Sequence, residues 1–414
     1  MTYFAAIYGA GLAGCAIANQ LLDAGKTVLL IDPHAGPDHT PGAPAALVNP
    51  AMGRYAKLSW EAEACYNSVR ARAEELMQFS GDRSIIAETG VLRPAINADL
   101  AHNFRGALDA HDWPEGWISW VAADEAAEKV PFLGEQYGGL LVHKGFTVYV
   151  ERYLNVYRRL LLQKGAKLIT ETLPFERTTS KSSQNVNTHR TAEASQIVTN
   201  TRTAYENTDG NTAGSYPGSQ NVNADKVPDY SQNVNIGKGR FLLGEFLAEN
   251  IIISAGSGTL DFPEFAHVPL HRVKGQIAMF EADHDLDWDI AVSAMGYILR
   301  DGKRGIIAGS TYEHNQNNIQ LTEQAYRQIL HKLFTILPGL SGRIVKTGQH
   351  AGIRVTTPNK LPAIGSPSAH PGVHIYTALG SKGLLFSEYV AGVLSGHLLQ
   401  GDALPPDLDV RRFE

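Results

Sequence analysis

The chain of 414 residues carries only two cysteines, Cys15 and Cys65. A disulfide framework and an all-thiolate zinc site are excluded as organising devices, and a reducing compartment fits. An excess of positive charge is also lacking: 36 Lys and Arg stand against 42 Asp and Glu, a net charge of -6. That balance argues against a strong generic attraction to a phosphate backbone, which needs a concentrated positive field. No run reaches the roughly 18–20 apolar residues that a membrane span needs. The apolar start, MTYFAAIYGAGLAGCAIANQLL, imitates a signal peptide, but it has no basic leading segment and glycines interrupt it. It is read as a buried strand, a tight turn and a helix. The protein is expected to be cytoplasmic, away from any membrane.

Hydrophobic residues make up 43% of the chain, as in an ordinary folded enzyme, and the length accommodates two domains. Residues 3–8 read as a buried strand, 9–14 as a turn, the following helix runs to about Ala24, and TVLLID is the next buried strand. Apolar spacing predicts one long helix over 58–80 and another over 151–165. ETGVLRPA, WISWVAA, GGLLVHKGFTVYV, RVKGQIAMF, GYILRDG and RGIIAGSTYE read as strands of a largely antiparallel sheet. Residues 178–240 break the pattern. They are polar, repeat SQNVN at Ser183, Ser219 and Ser231, and are read as a mobile surface insertion. The expected architecture is α/β: a Rossmann-like, glutathione-reductase-like nucleotide domain from 1–57, 146–265 and 346–414, and a substrate domain from 58–145 and 266–345.

Four motifs carry chemistry. Gly9-x-Gly11-x-x-Gly14 lies between a strand and a helix. Gly9 permits the turn, Gly11 lets a pyrophosphate approach, and Gly14 lets the helix pack on the strand. Leu12 and Ala13 open that helix, whose free N–H groups face the phosphates. Asp32, at the end of the next strand and followed by Pro33, suits ribose hydroxyls. This motif does not separate NAD from FAD. IIISAGSG, with Ala255 and Gly256, is a strand and small-residue turn that passes close to the same dinucleotide or is an ordinary turn. Gly380-Ser381-Lys382-Gly383, followed by Leu384, opens the last helix and points N–H groups at an anion; the alternative is an exposed turn lysine. In Gly352-Ile-Arg354 the arginine either grips a carboxylate by two parallel bonds or pairs with an internal acid. His34, His39, His271 and His350 lack metal-ligand spacing, the acidic stretch Glu281–Asp289 lacks that of an EF-hand, and no metal is expected.

With these segments in order, the chain resembles the D-amino-acid oxidase (DAO) superfamily, the glycine oxidase and sarcosine oxidase group. The likeness rests on IYGAGLAGCAIANQLLDAGKTVLLID, GAPAALVNP, IIISAGSGT, RVKGQIAMF, IIAGSTYE, GIRVTTPNKLPAIG and YTALGSKGLL. Within that group GIRVTTPNKLPAIG and LGSKGLLFSEYVAG look most like the flavin domain of the bifunctional tRNA 5-methylaminomethyl-2-thiouridine enzymes. The resemblance implies FAD. It places Ala45, Ala46 and Val48 beside the isoalloxazine, Gly380 to Gly383 at its pyrimidine edge, and the Leu173 backbone at the adenine. Arg354 matches the arginine that holds a substrate carboxylate, and Tyr297 matches a strand lining the pocket. Tyr312 is a further candidate to hydrogen-bond the substrate. Lys382, a candidate to stabilise the reduced flavin, stands where arginine or histidine is common, and Pro44 interrupts the small-residue loop. The C-terminal half has no cysteine for a thioether link to flavin.

The implied reaction is oxidation of the C–N bond of an amino acid or N-substituted glycine, by hydride transfer to flavin N5. A small-molecule amine or amino acid is the expected partner. A tRNA wobble uridine with a carboxymethylaminomethyl arm is the alternative, less favoured by the acidic balance. A flavin-binding protein without turnover is the third reading.

Overall fold

The computed structural model describes residues 1–35, 43–178 and 241–414. An eight-stranded sheet is built around Thr2–Tyr8, which lies parallel to Val28–Ile31 on one side and Phe246–Ile253 on the other. Tyr8 is level with both Ile31 and Ile253, so the three strands end together. Lys167–Ile169 continues the sheet beyond Val28–Ile31, and Val373–Thr377 pairs with Phe246–Ile253, both parallel. Strands covered on both faces are continuous apolar runs, as AAIY, VLLI and IIIS are. Helices Leu12–Asp23, Ala62–Ser80, Val150–Gln163 and Gly383–Gln400 contribute to one core against this sheet. The insertion expected at 178–240 falls outside the described residues apart from Thr178, as does His39. On its two sides Glu176–Arg177 and Phe241–Leu243 pair antiparallel, so the chain leaves and re-enters this sheet at one place.

The second sheet has nine strands and is antiparallel except where Val91–Pro94 meets Ala291–Ser293. Strand alternation separates its faces. Ala278, Phe280, Ile298, Ile306 and Ala308 pack under helix Glu323–Ile336. Ile277, Leu299 and Ile307 face the other way, toward Ala45, Ala51 and Ala56.

Two segments sit differently from the expected boundaries. The helix Ala62–Ser80, expected with the substrate domain, buries Cys65, Val69, Ala73 and Leu76 in the core of the first sheet. Its apolar stripe meets the last helix of the chain there. The strand Ile344–Thr356, expected from residue 346 onward with the nucleotide domain, pairs along its length with His271–Ala282 in the second sheet. A thirteen-residue strand finds its ladder hydrogen bonds only beside another long strand. Among the described residues no helix is long and apolar enough to cross a membrane, and no cluster of three or more His, Cys, Asp or Glu is placed to hold a metal.

In the first sheet His374 is 6% exposed, and its Nε2 lies 3.4 Å from Asn250 Oδ1. Burial, with His397 nearby, pulls it from the ordinary 6.5 down to about 4. The folded state therefore binds fewer protons than the unfolded state between those values. Stability is full above pH 6.5 and is lost as pH falls toward 4, by about 3 kcal/mol if this group alone is counted. Urea midpoints measured from pH 7 to 4 should fall along that slope, and His374→Gln should flatten it.

Candidate active site

The first sheet ends in a cleft of about 1030 Å³ at the carboxyl ends of its parallel strands. That is where ligands settle in open α/β sheets. Tyr8 leads into Gly9, whose φ of +103° suits glycine alone. A Cβ built on Gly14 would lie 1.7 Å from the Gly9 carbonyl oxygen, and one on Gly9 would lie 2.5 Å from that of Ser254. These two positions hold helix Leu12–Asp23 and the loop after Phe246–Ile253 against the turn. Gly11 is different: a Cβ there would meet no other protein atom within 4 Å, and the residue lines the cleft.

The cleft suits a dinucleotide by three observations. Helix Leu12–Asp23 starts with no side-chain cap and no acid in its first turn. Helix Gly383–Gln400 also starts uncapped. Both ends leave N–H groups for phosphate or another anion. Asp32 lines the cleft, with one carboxylate oxygen accepting the Ala10 N–H at 2.7 Å and the other the His34 N–H at 2.8 Å, which fixes its direction. Leu12, Ala13, Pro33, Ala255, Gly256, Gly380 and Gly383 also line the cleft. Thr172 lines it where Leu173 was expected; the Leu173 carbonyl accepts the Tyr8 hydroxyl at 2.7 Å, and its side chain packs with the core. Leu384 is buried in the core, and Ser381 is exposed.

Arg354 lines this cleft, and Tyr312 and Tyr297 lie close to that residue, although neither tyrosine lines the cleft. Arg354 Nη2 donates to Ser310 Oγ at 2.5 Å and Nη1 to the Thr311 carbonyl at 3.4 Å. Its guanidinium lies 4.8 Å from the Tyr312 ring centre. Among the described residues no carboxylate pairs with it, the partner that the internal-acid alternative required. Tyr297 donates to the Ala45 carbonyl at 3.4 Å. Burial pushes its phenol well above the ordinary value, Arg354 opposes that rise and Tyr312 adds to it. Tyr297 is therefore a hydrogen-bond donor and not a base near neutral pH. Ala46 and Val48 lie on the short strand Ala46–Val48, paired with Phe146–Val148, and pack with the core of the first sheet, while Ala45 packs against the second; none of the three lines the cleft.

Lys382 does not join them. Its ammonium sits 4.9 Å from the Phe386 ring centre and faces Cys65; burial lowers its pKa and Cys65 raises it. Three functional positions escaped sequence reasoning. Gly275 sits across the strand pair from Gly352, and a Cβ there would lie 2.2 Å from Arg354 Nη2, so its bareness makes the hollow in which the guanidinium lies. Ser310 supplies the shorter of the two bonds. Ser254 Oγ donates to the Tyr8 carbonyl at 2.9 Å and so ties the two cleft turns. A glycine inside an apolar strand was the available signal for Gly275, since it marks a close approach.

The family model described as DAO, FAD dependent oxidoreductase, matches residues 5–205 and 226–395. A tRNA 5-methylaminomethyl-2-thiouridine biosynthesis bifunctional protein from Cupriavidus metallidurans is 26% identical over 444 residues, covering 98% of this chain and 57% of that protein. One of the same description from Thiobacillus denitrificans is 28% identical over 152 residues, covering 35% of this chain and 24% of that protein. The chain thus spans little more than half the length of such relatives at most. Glycine oxidase from Geobacillus kaustophilus superposes with a TM-score of 0.73 at 18% identity, covering 100% of this chain and 98% of that one. Iminodiacetate oxidase from Chelativorans sp. BNC1 gives 0.67 at 17%, covering 97% of each.

Proposed function

This chain belongs to the DAO family of FAD dependent oxidoreductases, and we propose that within it the protein oxidises the C–N bond of an amino acid or N-substituted glycine. The observation that carries this reading is Arg354: a guanidinium that lines the cofactor cleft, seated on neutral oxygens and, among the described residues, without a carboxylate. Such a fork matches a carboxylate by two parallel charge-assisted bonds. The bound FAD supplies the two-electron acceptor. The residues that would hold it are the Gly9–Gly14 turn, Asp32, Ala255–Gly256 and the start of the last helix. Arg354 fixes the carboxylate and thereby the carbon beside the nitrogen. Tyr297 stays protonated, and its one O–H, which rests on the Ala45 carbonyl at 3.4 Å, would turn to the ligand when it binds. Tyr312 covers one face of the guanidinium and limits its contact with water.

Anaerobic bleaching of the bound flavin tests this. N-substituted glycines and D-amino acids are compared with the amines that lack the carboxylate. Bleaching by acids only is the expected outcome; equal bleaching by the decarboxylated amines sinks the reading.

Gly275→Ala gives a second check. The added methyl collides with the far end of a flexible side chain, so Arg354 moves and the fold does not. The specificity constant for the acid should fall about tenfold or more, as expected for weakening one charge-assisted hydrogen bond. Flavin content and thermal midpoint should stay near those of the parent. Loss of flavin in this variant would place Gly275 with the fold instead.

A second reading is supported by the tRNA-modifying names of relatives that align over nearly the whole chain. A wobble uridine with a carboxymethylaminomethyl arm ends in the same glycine-type carboxylate, so Arg354 serves both readings. Adding tRNA that carries this arm to the bleaching panel, with mass analysis of the nucleosides, separates them.

A further inference from the structure

The strand His271–Ala282 serves Arg354 on both of its faces. Gly275 leaves the hollow on one side; Lys274 and Gln276 point to the other, 2% and 0% exposed. There they meet Glu313. Its Oε1 accepts from Gln276 Nε2 at 2.9 Å and from Thr311 Oγ1 at 2.6 Å, and Lys274 Nζ lies 3.7 Å from its Oε2. Thr311 is also bonded both ways to the Gln276 backbone, its N–H to the Gln276 carbonyl at 3.0 Å and its Oγ1 accepting the Gln276 N–H at 2.9 Å. Ser310 and Thr311 are the two residues on which Arg354 rests. Thr311 is thus held from behind by Glu313 and the Gln276 backbone, while the Ser310 carbonyl accepts Lys332 Nζ at 3.1 Å.

We propose that Glu313, clamped by Lys274 and Gln276, is the positioning residue that sets the direction of the Arg354 fork and keeps its charge free for a substrate carboxylate. The inference rests on Arg354 being the carboxylate anchor. Two physical reasons support it. Only neutral oxygens seat the guanidinium among the described residues, so an incoming carboxylate would meet a charge that no described acid compensates. Glu313, three residues after Ser310, would be that anion if it turned to the front; Lys274 and Gln276 hold it behind the sheet. Lys274 also donates to the Gln320 carbonyl at 2.5 Å, which anchors the far end of the same loop. The enzyme selects carboxylate-bearing amines through residues that never touch them.

The experiment uses the flavin-loaded full chain. Acetate is titrated as an unreactive carboxylate and followed by perturbation of the flavin spectrum. Turnover of an active acid is compared with that of its decarboxylated amine. Glu313→Gln should weaken acetate binding about tenfold and raise KM for the acid more than it lowers kcat. The rate with the decarboxylated amine and the flavin content should be unchanged. Thr311→Val, which removes the bond to Glu313 and the acceptor of the Gln276 N–H, is the variant to read if Glu313→Gln fails to fold, and it should shift acetate binding in the same direction. Arg354→Lys serves as the reference. If it weakens acetate binding while Glu313→Gln or Thr311→Val leaves it at the parental value, the positioning role is overturned and the anchor stands. If Arg354→Lys changes nothing, the anchor and this proposal fall together. Equal loss with acid and amine, or loss of flavin, would show a role in the fold alone and would also overturn it.

Discussion

Arg354→Ala is expected to lower kcat/KM for the carboxylate-bearing amine by about 10²- to 10⁴-fold, since two charge-assisted hydrogen bonds of roughly 1.5–3 kcal/mol each are lost. The visible spectrum of the bound flavin should barely change, because Arg354 rests on Ser310 and Thr311 and not on the residues that close the nucleotide turn. Arg354→Lys should fall between, keeping a charge without the planar fork. The check is the ratio of flavin reduction rates for the acid and its decarboxylated amine. A mutant that keeps the parental ratio would show that the carboxylate is held elsewhere. A mutant that loses flavin on gel filtration would assign the residue to the cofactor site.

Arg72→Met should cost about 3–5 kcal/mol of stability, the range for removing one partner of a buried ion pair. Arg72 Nε donates to Glu388 Oε2 at 3.1 Å, with side-chain exposures of 8% and 3%. Tyr157 and Tyr153 also donate to the Glu388 carboxylate, at 3.2 and 3.5 Å. Burial raises the Glu388 pKa, and Arg72, followed by the two tyrosines, opposes the rise. Without Arg72 the rise is larger. A raised folded value means that the folded state holds more protons than the unfolded one, so the variant should be most stable below the carboxylate range and weaken as pH climbs through the folded value. Arg72→Met with Glu388→Leu should regain much of the loss, since no buried charge is left unpaired. Denaturant midpoints at pH 5 and pH 8 test both points. A single variant as stable as the parent at pH 8 would mean that the pair contributes nothing.

The nucleotide half was legible because its rules are local. A strand, Gly9–Gly14, a helix and Asp32 lie within one short stretch, and Gly14 answers to the Gly9 carbonyl and Asp32 to the Ala10 N–H inside that unit. Apolar runs identified the parallel strands for the same reason: a strand covered on both faces has no polar side to show. Arg354, Tyr297 and Tyr312 were named as site candidates from their motifs, and the fold brings the three together.

What the chain order hid was set by distant partners. The helix Ala62–Ser80 presents an apolar stripe to any observer of the sequence, but only packing decides that its Arg72 meets Glu388, 316 positions away. The strand Ile344–Thr356 reads equally well in either sheet, and its assignment depends on which long strand offers free ladder groups beside it. Lys382 lies in a motif that predicts an anion contact, yet an aromatic ring and a thiol draw its side chain away. Gly275 reads as a weak point in a strand until Arg354 is folded over it. By itself the sequence determined the dinucleotide-binding turn and the parallel strands, since spacing within a motif is a covalent property, and it offered Arg354 as a candidate anchor; FAD in particular came from the resemblance. Tertiary structure alone decided which neutral oxygens seat that arginine and that no acid among the described residues neutralises it, because a charge is paired or free according to what lies within a few ångströms in space, not along the chain.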